Sequence, residues 1–142
     1  MIGILTYNAP HRKTYDVLCL LKTKAYQNVR VYATPLQYEK SFRPIYNHRP
    51  DTPPYIPDTA SICAQFGYCY VEGKLSDWDI PEDEILLICG AGIIPEEFLR
   101  KHTIFNAHPG YLPYCRGLDA YKWAIYEDMP ISVTTHLLGG VC

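Results

Sequence analysis

No run in this chain is apolar for long enough to cross a bilayer. The longest, such as Ile85–Ile94, fall well short of the roughly 20 residues that a spanning helix needs. A basic excess is also missing. Thirteen lysines and arginines against 15 aspartates and glutamates leave a formal charge of −2, which argues against a DNA-binding surface. MIGILTYNAPHRK carries no positive region ahead of its short apolar run, so it reads as a first strand and not as a signal peptide. The six cysteines (19, 63, 69, 89, 115 and 142) form no C-x-x-C pair and no metal-like cluster. Cys19, Cys63 and Cys89 lie in apolar stretches, where a thiol is a small hydrophobe. Neither a disulfide framework nor a metal site is expected, and reduced thiols point to the cytoplasm. The chain also lacks internal repeats and low-complexity tracts.

What is present is enough apolar material, 48% of 142 residues, for one domain with a core. Ile2 to Thr6 is a candidate buried strand. Thr14 precedes a broad apolar helical face with Asp16 near its start and Lys22 and Lys24 near its end, as a macrodipole prefers. Val29 to Ala33 alternates as a second strand, giving a β-α-β opening and hence a parallel sheet covered by helices. Five prolines between Pro44 and Pro57 then forbid regular helix and weaken any central strand. That stretch is either a stiffened surface loop or a substrate loop whose Arg43, His48 and Arg49 meet an anion.

Asp58 is a candidate cap for a helix that stops at Gly67, followed by a short strand at Cys69 to Val71. DWDIPEDE reads as a solvated connection into the strand EILLICG. Pro95 opens a second short helix, PEEFLRK, with His102 facing solvent at its end. Further along come a strand at Thr103 to Ala107, a helix at Asp119 to Glu127 with Trp123 in the core, and a strand at Ile131 to Leu138. His136 on that last strand reads as a satisfied structural histidine.

Within FNAHPGYLPYCRGLDAYKWAIY, Asn106 and His108 are two residues apart on a strand and project to one face at its carboxyl end, where open parallel sheets bind ligands. Pro109-Gly110 ends the strand and keeps the imidazole at the rim. An amide N–H stabilises a developing oxyanion, and a neutral imidazole accepts a proton from an attacking amine. Those are the needs of acyl transfer. The pair N-x-H alone is also ordinary turn chemistry. Gly90 and Gly92 read equally as a turn before the Pro95 helix, and Arg116-Gly117 as a turn with Arg116 at the surface.

The longer strings carry more. NAHPGYLPYCRGLDAYKWAI resembles the signature of the folate-dependent formyltransferase superfamily: N-x-H-P, a L-P-x-x-R-G loop, then a helix. SVTTHLL is similar to that family's V-T-x-H strand, and LLICGAGIIPEEFL to its strand, loop and helix before the catalytic strand. The resemblance covers essentially the whole chain, with Leu86 to Leu138 the most specific part. It implies a Rossmann-like α/β domain, a mostly parallel sheet with helices on both faces. It also implies transfer of a formyl group from N10-formyltetrahydrofolate to an amine, without a metal. By position Asn106 would bind the formyl oxygen and His108 would relay the proton. Ala91, Gly92, Ile93, Ile94 and Leu99 would frame the pterin, while Pro109, Gly110, Arg116 and Gly117 become candidates for substrate contact.

The sequence departs from this pattern in three places. The family's third catalytic residue, an Asp after the V-T-x-H strand, would fall just beyond Cys142, so residues 1–142 are expected to be a truncated N-terminal catalytic domain, or else a naturally short protein, in either case much slower than a full relative. Gly110 stands where relatives commonly have a small hydroxyl residue. TYNAPHRKTYD lacks the G-x-G-S-N-like phosphate loop of glycinamide ribonucleotide transformylases. The expected acceptor is therefore a small amine, foremost an amino sugar carried on a nucleotide, with a homodimer left open. The rival readings are a formyltetrahydrofolate hydrolase, a catalytically impaired folate- or nucleotide-binding module and, less favoured, a methionyl-tRNA formyltransferase.

Overall fold

A computed structural model describes residues 1–36 and 55–138. Arg43, His48 and Arg49 of the proline-rich stretch lie outside the described residues. In chain order the elements are β1 (Ile2–Tyr7), α1 (Arg12–Thr23), β2 (Val29–Thr34), α2 (Thr59–Phe66), β3 (Cys69–Glu72), β4 (Ile85–Ile88), α3 (Glu96–Lys101), β5 (Thr103–His108), α4 (Ala120–Tyr126) and β6 (Thr134–Leu138). A short 3-10 turn, Leu75–Asp77, lies between β3 and β4.

The strands form one sheet in the order β3-β2-β1-β4-β5-β6. β1 pairs in parallel with β2 on one side (Ile4↔Val31) and with β4 on the other (Ile4↔Leu87). β5 continues the parallel set, and β6 closes it antiparallel, with Asn106 opposite His136 and His108 opposite Thr134. The expected Rossmann-like, mostly parallel arrangement is what the chain adopts. Central parallel strands are buried on both faces, which explains why β1 reads as a continuous apolar run instead of an alternation.

Alternation nevertheless divides the core. Ile4 and Val31 pack with Leu18 and Leu21 of α1 and Ile62 and Cys63 of α2 on one face. Leu5, Tyr32, Leu86 and Ile104 pack on the other, with Phe98 and Leu99 of α3 against them. β1 to β3 run outward in one direction and β4 to β6 in the other, so the order reverses between β1 and β4. The carboxyl ends at that reversal are where a doubly wound sheet opens a ligand crevice.

Several local expectations need correction. α1 begins at Arg12 with His11 as its N-cap, so Asp16 is too far along to meet the first-turn N–H groups and pairs with Arg12 instead (2.9 Å). Thr14 is fully buried inside the helix and bonds the Thr6 hydroxyl. DWDIPEDE is not simply solvated. Ile80 and Glu84 are buried, and the Trp78 ring packs on Tyr32 at 5.2 Å, because this connection lids the α3 face of the sheet. His102 is half-buried against Phe98 (4.3 Å between rings). Trp123 is 57% exposed, since α4 turns its two small residues, Ala120 and Ala124, inward to lie close on Cys115. Residues 131–133 precede the last strand instead of belonging to it.

Candidate functional site

Asn106 and His108 occupy the last turn of pleat on β5, on the same face as the buried Ile104, and both are half-buried at the rim. Asn106 lines a chamber of about 360 Å³ together with Ile88, Ala91, Gly92, Ile94, Leu99 and Leu138. Four of the five residues expected to frame a flat ring, Ala91, Gly92, Ile94 and Leu99, thus share a cavity with the carboxamide. The fifth, Ile93, points to a different cavity on the far side of the loop. Among the described residues the chamber is apolar apart from the carboxamide and loop backbone, the character expected of a site for a small ligand.

His108 is held from below. Its Nε2 lies 2.9 Å from the Cys115 carbonyl oxygen. A carbonyl can only accept, so Nε2 carries a proton and the lone pair of the neutral ring resides on Nδ1. Gly110 makes this geometry possible. A Cβ there would fall 2.6 Å from the Cys115 carbonyl oxygen, 2.8 Å from the Ala120 side chain and 2.8 Å from His108 Nε2. The 110–120 loop therefore folds back under the imidazole only because residue 110 has no side chain. Gly110 is itself buried.

Thr134 pins that loop to β6, donating from Oγ1 to the Gly110 carbonyl (2.7 Å) and accepting from the Leu112 N–H (3.2 Å). Arg116 is exposed, and its Nε donates to the Pro113 carbonyl at 2.8 Å, tightening the turn. Pro109 and Gly117 are exposed, Gly117 with φ 81°. Of the four candidates for substrate contact, Gly110 faces inward, while Pro109, Arg116 and Gly117 lie at the surface.

The sequence reading missed two contributors. His136 is not merely a satisfied strand histidine: its Nε2 lies 3.3 Å from Asn106 Nδ2. Lys13 reaches from the first turn of α1 to the Ala107 carbonyl, between the two candidate catalytic residues, at 3.3 Å. The positive charge also tells on its neighbours. The Cys89 thiol is pushed up to about 11 by burial, against the pull of Lys13, and the His11 imidazole is lowered by burial and by Lys13. The V-T-x-H pattern pointed at His136, but only the β5–β6 register could reveal its partner.

No sequence-family model matches the chain, and no curated protein matches it by sequence. Solved structures do match. A sugar N-formyltransferase from Shewanella sp. superposes with a TM-score of 0.52 at 19% identity, over 97% of this chain and 50% of its own. A 4-N formyltransferase from Francisella tularensis gives a TM-score of 0.58 at 14% identity, with the same coverages. A phosphoribosylglycinamide formyltransferase from Campylobacter jejuni gives 0.59 at 14% identity, over 97% of this chain and 74% of its own. The chain spans about half the length of the first two. At these identities the likeness shows the fold alone: the mostly parallel sheet of the described residues shares the fold of these formyltransferases.

Proposed function

We propose that this chain supplies the Asn-His half of an active site that moves a formyl group from N10-formyltetrahydrofolate to a primary amine. The acceptor we favour is an amino sugar carried on a nucleotide, a choice supported by the absent purine-pathway phosphate loop and consistent with sugar N-formyltransferases among the fold neighbours. The observation that carries the reading is the Asn106 carboxamide, set in the wall of a chamber framed by Ala91, Gly92, Ile94 and Leu99, with His108 next on the same face.

The chemistry follows from the groups. The amine nitrogen attacks the formyl carbon, and charge grows on the formyl oxygen. An N–H of Asn106 meets that oxygen, and a donor so placed lowers the barrier without reorganising. The attacking nitrogen must shed a proton. Nδ1 of His108 is the basic nitrogen, because Nε2 is committed to the Cys115 carbonyl. The proton then passes to the departing folate nitrogen. Leu99, Ile94 and Leu138 give one side of the reacting centre an apolar wall.

Thermal denaturation of the 142-residue chain with a non-transferable formylfolate analogue tests the site, because a ligand bound to the native state raises the melting temperature. The analogue should stabilise the chain, and Leu99→Asp should abolish the effect. Where transfer is measurable, Asn106→Ala should lower kcat by about 100-fold or more. Formate release without an amine would instead mark a hydrolase. No stabilisation by the analogue, or equal stabilisation of Leu99→Asp, would rule the chamber out as the folate site.

A further inference from the structure

α4 reads AYKWAIY, in which Lys122 is the one charged residue. A helix that is apolar all round is normally enclosed on every side. Here one side is covered. Ala120 and Ala124, four residues apart, turn in against Cys115 and Met129. The other apolar side chains of the helix, Tyr121, Trp123, Ile125 and Tyr126, are 41% to 78% exposed, and the Trp123 and Tyr126 rings meet edge to face at 6.0 Å. The loop leading into α4 adds Tyr114, 71% exposed, and Leu118, 92% exposed.

The size of this surface says what it is for. At about 150–250 Å² per aromatic side chain, the four α4 residues at their observed exposures offer roughly 400 Å², and Tyr114 and Leu118 bring the total to roughly 700 Å². The largest apolar patch on a monomer is typically about 300–600 Å². Two such surfaces laid together would remove about 1,400 Å² from water, within the roughly 1,200–2,000 Å² of a stable protein–protein contact.

The charges favour a second copy of this chain as the cover. Lys122 stands in the first turn of α4, on the side opposite Ala120 and Ala124 by the helical period. Glu127 and Asp128 follow the last turn, and all three are exposed. When two α4 helices cross antiparallel about a two-fold axis, each Lys122 comes to the acidic end of the other helix, and Trp123 meets Tyr126 twice over. The contact of Lys122 with Asp119 (3.2 Å) is exposed and weak, so little is lost when it turns to a carboxylate of the second copy. An anionic lipid surface would attract Lys122 but repel the Glu127-Asp128 end.

We infer that this chain pairs with a second copy of itself through the outer side of α4, the two helices antiparallel. The inference does not rest on the formyl-transfer reading. It bears on the same region, because the helix that pairing encloses is the one whose alanines press on Cys115, and the Cys115 carbonyl holds His108.

Sedimentation equilibrium of the 142-residue chain over a concentration series tests this pairing. A monomer–dimer equilibrium in the micromolar range is expected. Ile125→Asp and Tyr126→Asp each put a charge into the contact and should raise the dissociation constant at least tenfold. Both residues face solvent in the single copy, so the variants should keep the circular dichroism of the parent. Leu20→Asp, on the exposed side of α1, is the control and should leave the constant unchanged. Lys122→Glu should weaken the dimer several-fold, and Glu127→Lys in the same chain should recover most of that loss. A monomer at every concentration, association that grows past two copies, a dimer indifferent to both Asp variants, or a charge exchange that recovers nothing overturns the inference. A monomer that instead sediments with anionic vesicles would assign the surface to a membrane.

Discussion

Asn106 on β5 and His136 on β6 stand directly opposite one another across the antiparallel pair, with the carboxamide Nδ2 3.3 Å from the imidazole Nε2. A carboxamide nitrogen only donates, so in this arrangement Nε2 of His136 is the acceptor. One Asn106 N–H is thereby spent on orientation. The other remains for an oxygen in the chamber.

This pairing predicts a split between two substitutions. His136→Gln keeps an acceptor within reach of Asn106, whereas His136→Phe leaves the carboxamide free to turn. Loss of one orienting hydrogen bond, worth about 1 kcal/mol, should lower kcat in the Phe variant by roughly five- to tenfold. The Gln variant should stay near the parent, with little change in KM for the formyl donor in either. Equal losses in the two variants would mean that His136 acts only through packing.

Gly110→Ala probes the loop beneath His108. The added methyl meets the Cys115 carbonyl at 2.6 Å and the Ala120 side chain at 2.8 Å, and the first of these is backbone that cannot swing aside. Overpacking of this kind costs about 1–3 kcal/mol, so the urea midpoint should drop measurably. Gly110→Ser should be no better, since its hydroxyl adds bulk at the same place. An unchanged midpoint in both would show that the loop has room to relax.

His11 gives the fold a pH dependence of definite sign. Burial and Lys13 hold its folded-state imidazole below the ordinary value of 6.5. The unfolded chain therefore binds a proton that the folded chain resists, and stability should fall as pH drops below that value. His11→Asn, which removes the titrating group and puts a side chain able to cap at the start of α1, should flatten the stability curve between neutral and mildly acidic pH. Parallel curves for parent and variant would rule out this origin.

The cysteines predict an order of alkylation. Burial pushes the Cys63 thiol up to about 12 and Cys89 to about 11, so neither supplies much thiolate at neutral pH. Cys69 is exposed on the edge strand β3. Iodoacetamide followed by peptide mass mapping should label Cys69 in the native chain, and Cys63 and Cys89 only after denaturant. Early labelling of Cys63 would contradict the α1–α2 packing that encloses it.

Much of the site could be read from the chain because it rests on short-range geometry. The two-residue repeat of a strand places Asn106 beside His108 whatever surrounds them, and Pro109-Gly110 puts them at an end. Helix limits were recoverable where a local cap fixed them, as with Asp58 accepting from the Ser61 N–H at 2.9 Å. Trp123 failed for the opposite reason. Helical spacing groups residues onto a face without saying which face is covered, and in α4 the alanines went inward. Glu84 looked solvent-bound in an acidic run, yet it is buried beneath Tyr32, whose hydroxyl donates to it at 3.2 Å.

The sequence by itself determined the order of elements, the parallel core and the shared face of Asn106 and His108, since these follow from periodicity and from the stereochemistry of proline and glycine. Tertiary structure alone decided that His136 orients Asn106, that the Cys115 carbonyl selects the basic nitrogen of His108, and that one loop walls two chambers. Each of these joins groups from different elements, so it depends on strand register and on how loops fold back over the rim, which no local pattern encodes.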